Sequence, residues 1–116
     1  MTEISGKIFS EEVYAMTRKT SFSEKIYAMT KKIPWGKVST YKQVAILAGK
    51  PNAYRAVGNV LNKNSDKSVP CYRVVRADGS VGNFNRGANE KIKTLKSEGI
   101  EIENKKIELK KYLHKF

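Results

Sequence analysis

The chain reads as a single α/β domain, mainly helical, arranged as a winged helix-turn-helix-like bundle with short β-hairpins. Three observations predict this. Two helical patterns are separated by the short Gly/Pro break "AGKPN" (48–52), which is the spacing of a helix-turn-helix. Two later segments, "YRVVRADGSVGNF" (72–84) and "IEIENKKIEL" (100–109), read as hairpins around turn residues. At 116 residues the length fits one domain, which can bury roughly two-thirds of its unfolded surface.

No low-complexity linker divides the chain. Residues 1–20 are set apart as an N-terminal extension and 21–116 as the domain. Within the extension, "ISGKIF" and "VYAMTRK" can pair as strands, or part of the segment can be a short helix. "YAMTRK" (14–19) is echoed by "YAMTKK" (27–32), but two copies of a hexapeptide do not make a repeat architecture.

From Ser21 the elements follow in order. "SFSE" pairs Ser21 with Glu24 as a capping box, and Pro34 must end the helix it opens. Phe22, Ile26, Met29 and Ile33 form one apolar stripe. "PWGK" is a turn. A second helix follows "KVST", with Thr40 and Gln43 as another capping box and Val44, Ala45 and Leu47 apolar. Gly49 suits the end of that helix, and Pro51 cannot continue it.

A third helix is expected over roughly 53–63 behind Asn52 as N-cap. Its apolar residues Ala53, Ala56, Val57, Val60 and Leu61 form a buried stripe. Tyr54, Arg55, Gly58, Asn59 and Asn62 are left facing outward. Gly58 costs a helix interior about 1 kcal/mol relative to Ala. Close approach of a neighbouring element, or of a nucleic-acid groove, would offset that cost.

Further on, Asp78-Gly79 turns the first hairpin, and Ile100 and Ile102 pair with Ile107 and Leu109 in the second. Between them "GANEKIKTLKSEG" (87–99) is a helix with Ala88, Ile92 and Leu95 inward and Gly99 at its C-cap. "KKYLHKF" is a basic tail, helical or frayed. His114, within it, reads as a surface residue.

Charge and cysteine usage narrow the function. Lys and Arg number 23 against 11 Asp and Glu, a formal net charge of +12. Such an excess favours polyanionic partners, although a lysine-rich soluble protein would show it too. One cysteine permits no internal disulfide, which fits a reducing compartment. No apolar run approaches the ~20 residues needed to span a bilayer. "MTEISGKIFSEE" lacks the order of a signal peptide. A cytoplasmic address, at the nucleoid, is expected, or a nuclear one in a eukaryote. One Cys and one His cannot build a structural zinc site, so no metal is expected.

Cys71 is either a small buried hydrophobe or a nucleophile. A thiolate needs a nearby base, cation or helix N-terminus. Lys67, Tyr72, Arg73 and Arg76 stand near it in sequence, but no histidine does, and Asp66 is the nearest carboxylate.

Four segments then carry a resemblance: "IPWGKVSTYKQVA", "AGKPNAYRAVGNVLNKN", "VPCYRVVRADGSVGNF" and "KIKTLKSEGI". Phe22 to Phe116 resembles the C-terminal DNA-binding and active-site domain of the 6-O-alkylguanine-DNA alkyltransferases, the methylated-DNA–protein-cysteine methyltransferases. The resemblance implies that Cys71 accepts the alkyl group irreversibly, without a cofactor. Arg55 corresponds to the arginine finger that fills the duplex where the damaged nucleotide leaves. Tyr41 corresponds to the tyrosine that crowds the phosphate beside the lesion. Asn64 ties the preceding turn to the cysteine, and Glu98 closes the hydrogen-bond relay behind it. Ala56, Gly58, Asn59 and Arg73 join the DNA contacts. Val81, Gly82, Asn83, Phe84 and Asn85 line the base pocket, with Phe84 where a tyrosine is common and Asn85 where a serine is common.

The partner so implied is duplex DNA carrying alkylated guanine, met through its minor groove by a monomer, with no membrane. A base cannot be attacked within the stack, so extrusion is required. The chain departs from the family pattern in two ways. Tyr72 replaces the histidine that usually follows the cysteine, and a phenol with pKa near 10 is a poor base. Slower transfer is expected. An N-terminal partner domain is also missing, as in the alkyltransferase-like proteins, which flag alkylated DNA for excision. Those proteins usually carry tryptophan in place of the cysteine, which this chain keeps. A third reading is a helix-turn-helix regulator, which would bind a specific operator, usually as a dimer.

Overall fold

A computed structural model describes residues 21–82 and 87–116. The expectations for 1–20, and for Asn83, Phe84 and Asn85, lie outside those residues.

Helix α1 (Phe22–Lys31) starts as its sequence dictates. The Ser21 hydroxyl accepts the Glu24 N–H at 3.1 Å, and the Glu24 carboxylate accepts the Ser21 N–H at 3.0 Å. Both halves of the capping box are therefore made. Ile26, Met29 and Ile33 are buried, and Phe22 packs at their edge. The chain then turns at Pro34–Lys37, closed by the Lys37 N–H on the Pro34 carbonyl at 3.1 Å.

Strand β1 (Ser39–Thr40) leads into α2 (Tyr41–Leu47). Thr40 caps α2 by accepting the Gln43 N–H at 3.0 Å. The returning half of that expected box goes elsewhere: the Gln43 side chain bonds the Ser39 hydroxyl and donates to the His114 carbonyl. Of the apolar residues of α2, Val44 and Ala45 are buried, whereas Leu47 is exposed. Gly49 is left-handed at φ +91°, and the Gly49 and Lys50 N–H groups reach back to Ile46 and Ala45. That pair of bonds is a Schellman ending.

Helix α3 spans Tyr54–Asn62. Asn52 is not its N-cap. The Ala53 N–H closes a turn onto the Lys50 carbonyl at 2.9 Å, which moves the cap position to Ala53, with no side-chain bond. Val57 and Leu61 are buried, and Ala56 and Val60 are half-buried.

Past the 3-10 turn at Cys71–Arg73, strand β2 (Val74–Val75) pairs in parallel with β1, Ser39 opposite Val74 and Thr40 opposite Val75. This replaces the expected hairpin partner. The Asp78-Gly79 turn does form, with the Arg76 N–H on the Ser80 carbonyl at 2.9 Å. A Cβ at Gly79 would lie 2.5 Å from the Ile107 carbonyl oxygen, so the chains cross too closely for any other residue. The strand partners beyond this turn are Lys105 and Ile107: Val81 donates to Lys105 and Ile107 to Gly79.

Helix α4 (Ala88–Ser97) follows, and Gly99 ends it in a second Schellman arrangement. The second hairpin is reduced to one turn. Asn104 and Lys105 are both left-handed, and Glu103 and Lys106 exchange both hydrogen bonds. Ile107 is committed to Gly79, so Ile100 and Ile102 are not its ladder partners. A last short helix, α5 (Leu109–Tyr112), runs into a tail that is tied down. Val38 donates to Tyr112 and accepts from His114, so the tail lies beside β1.

The two-strand ladder divides two cores. Val74 belongs with α1, α2 and α3, whereas its neighbour Val75 belongs with Val38, Val81, Leu95, Ile100, Ile107 and Tyr112. Alternation along a strand puts successive side chains on opposite faces, and here each face has its own cluster.

Candidate nucleic-acid interface and cysteine site

The outer face of α3 and the start of α2 enclose an open groove of ≈ 890 Å³. Tyr41, Arg55, Gly58 and Asn59 line it, with Lys42, Tyr54 and Asn62 beside them and Arg76, Ala77 and Asp78 on the far wall. Four of the expected contacts are thus brought together. Ala56 is half-buried on the flank of α3. A Cβ at Gly58 would sit 3.8 Å from the Tyr41 ring, which is ordinary contact. Packing inside the protein therefore does not demand glycine there.

Cys71 is half-buried at the start of the 3-10 turn. The Asn64 amide nitrogen lies 3.8 Å from Sγ and donates to the Asp66 carbonyl at 3.0 Å, while its oxygen accepts the Asp66 N–H at 3.1 Å. Asn64 thus ties the turn after α3 to the sulfur. Cys71 and Tyr41 both pack against the first core, and Tyr41 also lines the groove, whose lining does not include Cys71.

Behind the sulfur stands a dense polar cluster. Tyr72 donates its hydroxyl proton to Glu98 Oε2 at 2.6 Å. Arg73 donates to both Glu98 oxygens, at 3.0 Å and 2.7 Å, and to the Ile33 carbonyl at 2.8 Å. The Gly36 N–H adds a bond to Glu98 Oε1 at 3.0 Å. Arg73, expected among the DNA contacts, has its guanidinium committed inward. Burial alone would push the Glu98 carboxyl up, but the bonds from Arg73, Gly36 and Tyr72 outweigh it and hold the group below the usual carboxylate range. Tyr72 moves the other way: burial, and then its bond to Glu98, push the phenol up to about 12.

Lys91, on α4, is 0 % exposed. Its Nζ donates to the Val74 carbonyl at 2.7 Å and to the Tyr41 hydroxyl at 3.2 Å. Burial pushes the amine down to about 7; a thiolate at Cys71 would pull it up, and Arg76 pushes it further down. Burial likewise raises the Tyr41 phenol. Lys91 was missed by the sequence reading, although a signal existed: it sits on the same helical face as Ala88, Ile92 and Leu95, a lysine within an apolar stripe.

Of the base-pocket residues, Val81 buries its side chain in the second core and can offer only its backbone. Gly82 is left-handed at φ +77°, and a Cβ there would lie 3.4 Å from Arg76 Cγ and 3.5 Å from the Tyr41 ring. Gly82 therefore lies close to both Arg76 and Tyr41 at ordinary contact distances, and its left-handed backbone is what favours glycine there.

Residues 21–100 match the family model described as the DNA-binding domain of 6-O-methylguanine DNA methyltransferase. The chain belongs to that family. It is 45% identical over 78 residues to a bifunctional methyltransferase/endonuclease of Picrophilus torridus, 66% of this chain and 26% of that protein. It is 39% identical over 79 residues to a DNA base-flipping protein of Vibrio parahaemolyticus, 66% of this chain and 79% of that one. Its fold superposes on S. pombe Atl1 in complex with damaged DNA containing O6-carboxymethylguanine, with a TM-score of 0.75 and 31% identity over 82% of this chain and 95% of that one. Against the bifunctional relatives the chain spans only about a quarter of their length. The mainly helical fold with a short parallel strand pair is the fold of these neighbours. Among the described residues no helix is long and apolar enough to cross a membrane.

Proposed function

We propose that this chain binds duplex DNA in the groove over α3, turns an alkylated guanine out of the stack, and takes the alkyl group onto Cys71 in a single turnover. The observation that carries the reading is a half-buried sulfur, anchored by Asn64 and packed on the same core as Tyr41, which lines the groove together with Arg55.

Each part has a physical task. Exposed lysines meet phosphates without reading sequence. Arg55 points off the outer face of α3, where its side chain can fill the space a base vacates. Gly58 lets the groove wall come close. Tyr41, held by Lys91, lines the groove, where it can crowd the phosphate beside the lesion and help rotate the nucleotide out. The thiolate attacks the alkyl carbon, a new S–C bond forms, and the C–O6 bond breaks with its electrons left on the guanine. No step returns the thiol, so the protein is consumed.

A second reading is supported by Tyr72. A phenol that gives its proton to Glu98 is no base, and a protein with a sluggish sulfur would act as a lesion-binding protein that marks alkylated DNA. One experiment separates the two. The chain is mixed with a duplex bearing 6-O-methylguanine, and the peptide containing Cys71 is weighed. A methyl adduct at Cys71 is the expected result. Tight binding without an adduct supports the marking role, and the absence of both removes the alkylguanine reading.

A further inference from the structure

The residues that α3 turns to the groove form two rows along the helix. Tyr54, Gly58 and Asn62 stand four apart in one row, and Arg55 and Asn59 in the other. The first row is uneven. Tyr54 carries an aromatic ring, and Gly58, one turn on, carries no side chain at all. Helical side chains lean toward the N-terminus. Tyr54 is the first residue of α3, so its ring is carried toward Pro51 and Asn52, which also line the groove.

Exposure sets this ring apart. Tyr54 is 46% exposed and belongs to neither core. The other exposed large apolar side chains among the described residues are Trp35, Ile46, Leu47 and Phe116, and they lie outside the groove lining. Tyr41, the second tyrosine of the groove, is tied down: its hydroxyl accepts from Lys91 and its ring faces Gly58. Among the described residues no hydrogen bond holds the Tyr54 hydroxyl. A single exposed tyrosine is ordinary on a protein surface. This one stands next to Arg55 on the wall that meets the duplex, where its apolar face has flat bases to cover.

We propose that Tyr54 is a second wedge beside Arg55. While Arg55 fills the space that the extruded nucleotide leaves, the Tyr54 ring enters the neighbouring base step and stacks there. Consecutive helical residues diverge by about 100° and do not face each other, so the two side chains cannot share one gap. A ring inserted from the minor groove partly unstacks its step and kinks the duplex toward the major groove. The flanking pairs then cannot close over the empty position. Every base has a π-face, so the contact is indifferent to sequence. The inference rests on the duplex binding and base extrusion proposed above, and it assigns one step of them to a residue of this chain.

The experiment uses the full chain, its Tyr54→Phe and Tyr54→Ala variants, and three duplexes of one sequence. One bears 6-O-methylguanine, one an abasic site at the same position, and one is undamaged. Affinity is read by fluorescence anisotropy and bending by energy transfer between dyes at the duplex ends. The abasic duplex offers the vacated space without an alkylated base, so it reports the wedge independently of lesion chemistry. Tyr54→Ala is expected to lose about tenfold in affinity for the lesion and abasic duplexes, the size of one base–aromatic stack, and to bend them less. Its affinity for undamaged DNA, held through phosphates, should barely change. Tyr54→Phe keeps the ring and should behave as the unaltered chain. A phenylalanine variant as weak as the alanine one would show that the hydroxyl makes the contact, and the wedge falls. Equal losses on all three duplexes overturn it too, since they mark a general backbone contact. Unchanged binding and bending by Tyr54→Ala, with a methyl adduct at Cys71 in the unaltered chain, overturn the wedge and leave the transferase reading intact. If the unaltered chain treats the lesion duplex as undamaged DNA, yet Tyr54→Ala still weakens binding to the abasic one, the alkylguanine reading fails and the wedge stands.

Discussion

The two cores on either side of the β1–β2 ladder are held together differently. The helical side, α1 to α3, is a stripe of Ile26, Met29, Ile33, Val44, Val57 and Leu61, sealed at its ends by Ser21, Thr40 and a Schellman turn. Its stabilisation is spread over many similar apolar contacts. The other side has a smaller apolar cluster and depends on a few buried or half-buried polar groups: Arg73, Glu98, Tyr72 and Lys91. A distributed core loses little when one polar group is removed. A side hung on a few buried charges loses much, because each deletion leaves its partner stranded.

The largest effect should come from Arg73. The side chains of Arg73 and Glu98 are 13% and 3% exposed. Arg73→Met strips Glu98 of its charge partner and the Ile33 carbonyl of a donor. We expect a loss of roughly 3–5 kcal/mol, as for a broken buried ion pair, read by denaturant unfolding at pH 7. The sign of the pH dependence follows from the depressed Glu98 carboxyl. Its contribution is present above the ordinary carboxylate pKa and is lost as pH falls through the folded value. The gap between the two proteins should therefore narrow in acid; a gap that stays constant would show that packing, not charge, is what Arg73 supplies.

Next comes the cost of burying Lys91. Its folded value, about 7, lies below the ordinary lysine value of 10.5. Between the two the unfolded chain binds the extra proton, so stability rises with pH across that window. The total is on the order of a few kcal/mol, and the slope cannot exceed about 1.4 kcal/mol per pH unit for one proton. Unfolding between pH 7.5 and 9.5, below the range in which phenols ionise, should show the rise in the unaltered chain. Lys91→Met should flatten it, and an equal slope in both proteins would place the titration elsewhere.

The same contrast explains what could be read from the sequence. Helix positions, the capping box at Ser21 and both glycine endings follow from local rules that act within a few residues. The parallel pairing of Val74 with Ser39 joins segments 35 residues apart, and no turn chemistry announces it. "RVVRADGSV" and "IEIENKKIEL" do contain their turns, but each turn's strands found partners outside its own hairpin. The sulfur, Asn64, Tyr41 and Arg55 were legible because the quoted segments carry them in order. The inward turn of Arg73 and the burial of Lys91 were not, since both depend on Glu98 and Val74 arriving from distant parts of the chain.

A smaller difference lies within the helical side. Thr40 caps α2 through a real bond to the Gln43 N–H, whereas Asn52 stands one residue away from the cap position of α3. Thr40→Ala should cost about 1 kcal/mol, while Asn52→Ala should leave the unfolding midpoint nearly unchanged. Equal losses would mean that Asn52 caps α3 in solution after all.

Gly58 carries the smallest change in stability and the most direct test of the groove. It lies inside α3, where glycine is less favourable than alanine by about 0.5–1 kcal/mol. The space toward Tyr41 admits a methyl group at 3.8 Å, an ordinary contact distance. Gly58→Ala should therefore stabilise the fold by up to that amount. The glycine also lines the groove, so the added methyl projects where the duplex must approach, and affinity for DNA should drop several-fold. A variant that is both more stable and weaker at binding DNA separates the two demands on this residue: the helix prefers alanine, and the partner requires its absence. If the substitution stabilises the fold and binding is untouched, then the outer face of α3 is not where the duplex sits.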